Sequence, residues 1–171
     1  ELPRLRRELE AARQAGVTQA LLGHIGQLPL ARSFGLIPRG DFGLGLTNDE
    51  TAAELARLGF ASATASFESR LAQIRDLSKP LDLELLVYGR LPLMLMEHCI
   101  LRNRGQGCHC QDKPQSLGDR KGEHFPVESA WGCRNELFNA KPLWLADKTD
   151  WRTAGAAYAR LAFLREGKEL R

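Results

Sequence analysis

Four cysteines and three of the four histidines fall between residues 98 and 133 of a 171-residue chain. The cysteines, Cys99, Cys108, Cys110 and Cys133, follow the spacing C-x8-C-x-C-x22-C, with His98, His109 and His124 among them. Thiolates are strong ligands for soft and borderline metals, and four of them complete a tetrahedral zinc site or hold an iron–sulfur cluster. Gly105, Gly107, Gly122 and Gly132 would let the backbone wrap closely around such a centre. Cys108-His109-Cys110 is tighter than the two-residue gap usual for chelating one metal. Reduced thiols buried as small hydrophobes, or disulfides, are the alternatives. A disulfide scaffold spreads its cysteines along the fold, whereas the first 98 residues hold none, so the pattern points to a reducing cytoplasm.

The same region is locally basic. Arg90, Arg102, Arg104, Arg120, Lys121 and Arg134 suit phosphates or carboxylates, and His98, Arg90, Arg102 and Arg104 are the candidate substrate contacts. Asp112, Asp119, Glu123 and Glu128 are interleaved with them, which also describes a solvated mixed surface. His24 follows the first strand candidate, where α/β proteins place active-site residues. Trp131, Trp144 and Trp151 could stack on bases or pack in a core. No Walker motif, nucleophile elbow, HExxH or GxGxxG is present.

The elements that must position these residues alternate. Residues 4–15 read as a helix stopped by Gly16, 17–23 as a strand, 27–34 as a short helix and 36–46 as a glycine-loosened strand. Thr47-Asn48-Asp49-Glu50 resembles a capping box, with Thr47 bonding the amide three residues on, before a helix over 49–58 stopped by Gly59. Residues 60–65 read as a strand, Ser66 as the cap of a helix over 67–77, and 81–88 as a buried strand. Strand candidates begin near 17, 37, 60 and 82, which implies parallel strands with right-handed crossovers. An open doubly wound sheet and part of a (β/α) barrel both fit. After Gly89 the rhythm breaks, and 97–135 shows no sustained period, apart from a tight turn at 119–122 before a short strand at 123–127. Residues 156–164 read as a last strand, with a helix as the alternative given the alanines.

At 43% hydrophobic and 26% charged, the chain has material for a core and is not a disordered sequence. The longest apolar run, residues 91–96, contains Pro92 and falls far short of the roughly 18–20 residues that cross a bilayer, so no membrane partner is expected. A net charge of +3 is too weak to argue for nucleic acid by itself.

Four stretches carry a family resemblance. They are Tyr88-Gly89-Arg90-Leu91-Pro92-Leu93-Met94, Glu97-His98-Cys99, Asp119-Arg120-Lys121-Gly122 with Phe125-Pro126-Val127, and Gly132-Cys133-Arg134-Asn135-Glu136-Leu137-Phe138-Asn139. Together they resemble the collagenase-like peptidases, a family that includes bacterial tRNA and ribosomal RNA hydroxylases and oxygen-independent ubiquinone hydroxylation proteins. The resemblance implies a TIM-like barrel leading into a cysteine-bearing segment, and in the hydroxylases a four-iron four-sulfur cluster. Cys99, Cys108 and Cys133 match the family's cysteines. The commoner pattern has its fourth almost directly after the strand's glycine, where this chain has Arg90-Leu91-Pro92-Leu93, so Cys110 is assigned in its place and zinc stays open as the alternative cofactor. The implied activity is oxygen-independent hydroxylation of RNA or a related small substrate. A peptidase of the same family, or a non-catalytic piece with a structural zinc, is the alternative.

A complete (β/α) barrel takes about 250 residues. The expectation is therefore a single α/β domain over 1–171, the later part of a TIM-like barrel from a longer protein, with an irregular metal-binding insertion at about 97–135. The strand edge at 17–23 would then need the missing barrel half or a second copy as partner.

Overall fold

The computed structural model describes residues 2–102, 114–145, 147–148 and 150–166. The chain divides into two compact units, residues 1–86 with 147–160 and residues 87–146 with 161–171.

The first unit is built from strand–helix repeats. Helix α1 (Leu2–Gln14) ends at Gly16, whose φ of +88° suits glycine, and it buries none of its residues. Strand β1 (Gln19–Leu22), helix α2 (Leu28–Ser33) and strand β2 (Ile37–Gly40) follow. Helix α3 (Asp49–Arg57) is capped by Asn48, whose Oδ1 accepts from Thr51 N at 2.8 Å, so the cap sits one residue beyond the expected Thr47. Strand β3 (Ser62–Thr64) leads to α4 (Leu71–Asp76). This helix starts later than Ser66 suggests, because the Ser66 hydroxyl closes a local turn on Glu68 N at 3.3 Å. Strand β4 (Asp82–Gly89) completes the series, and β10 (Tyr158–Ala162) returns beside it. Leu22, Leu28, Ala31, Leu46, Leu55, Ala63, Ile74 and Leu83 are buried, each leucine or isoleucine contributing roughly 1.5–3 kcal/mol.

The sheet order is β1-β2-β3-β4-β10, with β1 to β4 parallel and a short antiparallel strand, β9 (Leu143–Trp144), on the end of β4. Tyr158 meets Asp82 and Arg160 meets Glu84, so β10 runs in the same sense as β4. This sheet is a curled, open half-barrel rather than a TIM-like barrel. Closure would require the end strands to pair. Instead β1 is bonded only to β2 and β10 only to β4 among the described residues, while the chain between β4 and β10 is diverted into a separate sheet.

That second sheet corrects the expectation of an irregular insertion. Strands β5 (Pro92–Met96), β6 (Gln115–Gly118), β7 (His124–Ala130) and β8 (Arg134–Phe138) form an antiparallel sheet in the order β5-β8-β7-β6. Asp119 builds the β6–β7 turn, its Oδ1 accepting from Lys121 N at 2.8 Å and Glu123 N at 2.9 Å. Cys99, Leu101 and Val127 form the core of this unit, packed by Met96, Ile100, Leu117 and Leu137. No helix among the described residues is long and apolar enough to cross a membrane.

Candidate functional site

The cysteine-bearing end of the antiparallel sheet is set by strand register. Met96, the last residue of β5, lies opposite Asn135 of β8, and Ala130 of β7 lies opposite Arg134. Residues 97–99 therefore leave the sheet at the end where the turn Trp131–Cys133 joins β7 to β8. Two contacts hold the segments together. Arg134 Nε donates to Glu97 Oε2 at 2.9 Å, and Ile100 N donates to Asn135 Oδ1 at 2.8 Å. These bonds join Glu97 and Ile100, which flank Cys99, to the two residues that follow Cys133. Asn135 is fully buried, and its amide nitrogen is satisfied by Arg134 O at 3.0 Å.

The two thiols differ in setting. Cys99 is 8% exposed among apolar side chains. Cys133 is exposed and has a φ of +62°, a left-handed backbone that a residue with a Cβ seldom adopts, directly after Gly132 at +75°. Both are free cysteines. Cys108, Cys110, His109 and Arg104 lie outside the described residues. Strand β6 starts with Gln115 opposite Val127, at the end of the sheet where β7 leads to Cys133. Among the described residues no three His, Cys, Asp or Glu side chains gather as a metal site. A four-thiolate set would draw on Cys108 and Cys110.

The basic candidates separate. Arg90 Nη1 donates to Asn139 O at 2.9 Å and also to Ala140 O, so it secures the chain after β8. Arg102 and His98 are exposed on the segment that follows β5. His24, after β1, caps a short turn by accepting from Gly26 N at 3.0 Å through Nδ1.

The first unit holds a second constellation that the sequence reading missed. One face of the half-barrel carries an i, i+2 pair of polar residues from each of β2, β3, β4 and β10, with Asp41 just past the end of β2. Arg39 donates to Gln19 Oε1 at 2.6 Å and to Ser62 Oγ at 2.8 Å, and its guanidinium lies 4.8 Å from the Tyr158 ring centre. Tyr158 in turn donates to Asp82 at 3.1 Å. In the next row, Arg160 Nη1 lies 2.5 Å from Asp41 Oδ1, 3.6 Å from Glu84 Oε1 and 3.4 Å from Thr64 Oγ1, while Thr64 donates to Glu84 at 2.7 Å. Arg160, Asp41 and Glu84 are each about one-fifth exposed. This row lies at the carboxyl ends of β2 and β3, while Glu84 and Arg160 lie within β4 and β10. Its signal is present in sequence as polar i, i+2 pairs: Arg39/Asp41, Ser62/Thr64, Asp82/Glu84 and Tyr158/Arg160.

No family model, curated protein or solved structure matches the chain.

Proposed function

We propose that this chain is a thiolate-metal protein whose centre is held by Cys99, Cys108, Cys110 and Cys133 at the turn end of the antiparallel sheet. A four-iron four-sulfur cluster is the preferred occupant. The carrying observation is the β5–β8 register with its two cross-links, Glu97–Arg134 and Ile100–Asn135, which fix Cys99 and Cys133 at one end of one sheet. The donors suit the group: one thiol comes from an apolar core, which limits water, and the other from an exposed turn in a conformation the fold has to enforce.

A bound cluster would supply one-electron redox chemistry. The protein's part is to hold the thiolates, balance their charge and present a substrate. Asn135 fixes the backbone beside Cys99, the Arg134–Glu97 pair holds the start of that segment against the turn bearing Cys133, and His98 and Arg102 are exposed on the segment after β5. Oxygen-independent hydroxylation of RNA or a related substrate, in a reducing cytoplasm, is the activity that the resemblance to the collagenase-like peptidases supports. The burial of Cys99 favours a second reading, a closed structural zinc site, with peptidase or no activity.

Single Cys99→Ser and Cys133→Ser substitutions test the ligand assignment. Each should lower metal content by at least about half with the fold retained by circular dichroism. Full metal content in both variants would overturn it.

A further inference from the structure

We draw no further inference here: the strongest candidate, the exposed apolar edge of strand β5 at Leu93, Met94 and Leu95, carries none because nothing in the structure shows what covers it.

Discussion

Arg160 on β10 and Asp41 at the end of β2 meet at 2.5 Å, although β3 and β4 lie between their strands. Three strand spacings on a flat sheet amount to about 14 Å, further than an arginine and an aspartate can bridge. The pair therefore exists only because the sheet curls, and it ties the curl in place. Glu84 and Thr64, on the intervening strands, fill the space beneath the guanidinium.

Removing the cation should cost more than any surface ion pair in the molecule. Arg160→Met leaves Asp41 and Glu84 facing each other, and because the groups are only partly buried the loss is put at about 1–2 kcal/mol. Arg57→Ala, which breaks an exposed helical pair with Glu54, should cost under about 0.5 kcal/mol. Urea denaturation checks both. Adding Asp41→Asn to Arg160→Met should recover part of the loss, and a strictly additive double variant would show that the two residues do not act together.

Gly89 turns the chain from β4 toward the antiparallel sheet at a φ of +142°. A Cβ there would lie 2.5 Å from Ala162 O and 2.8 Å from Ala162 Cβ. Gly89→Ala should therefore destabilise by about 2–4 kcal/mol. Gly122→Ala, at φ +80° in open space, should cost only about 1 kcal/mol. Thermal unfolding of the two variants compares them directly.

The repeat of strand and helix was legible because both periods are local: Leu71 and Ile74 give a helical face, and residues 82–88 an apolar strand. Closure was not legible. Whether β1 pairs with a neighbour depends on a strand that no local pattern near Gln19 specifies. Of the antiparallel strands, the start of β7 was legible as the strand over 123–127 behind the 119–122 turn, whereas β6, only four residues long, shows no clean alternation and rests on pairing across the sheet. The cysteine cluster was visible by type and spacing, but its anchor was not. Asn135 reads as a polar surface residue until its partner, Ile100 N, is known. The Arg160 network was missed because its members come from positions 41, 64, 84 and 160, which only the fold brings together.

Burial raises the Glu136 carboxyl above the ordinary glutamate value, and Glu128 lies directly opposite it across β7 and β8. A raised carboxyl favours the folded state when protonated, so its contribution is present at low pH and lost as pH rises through the raised value. Glu136→Gln should stabilise the protein at neutral pH by under about 1 kcal/mol, given its partial exposure. The gain should shrink toward pH 4. Chemical denaturation at several pH values reads this out, and a benefit independent of pH would contradict the assignment.

Asn135 links the Cys99 segment to the strand after Cys133. Asn135→Ala removes the acceptor for Ile100 N and should cost about 2 kcal/mol. Asn135→Asp keeps an acceptor oxygen and should retain more metal than Asn135→Ala, as measured by metal content per folded chain. Equal retention in the two variants would show that this hydrogen bond does not support the centre.

The central claim is the thiolate-held centre, and the most direct measurement is iron, acid-labile sulfide and zinc per chain in anaerobically purified protein, with its absorption spectrum. The account predicts about four irons and four sulfides per chain and a broad band around 400 nm. Stoichiometric zinc without colour would keep the four cysteines as ligands and overturn the cluster. A colourless chain with neither metal above trace would contradict the account.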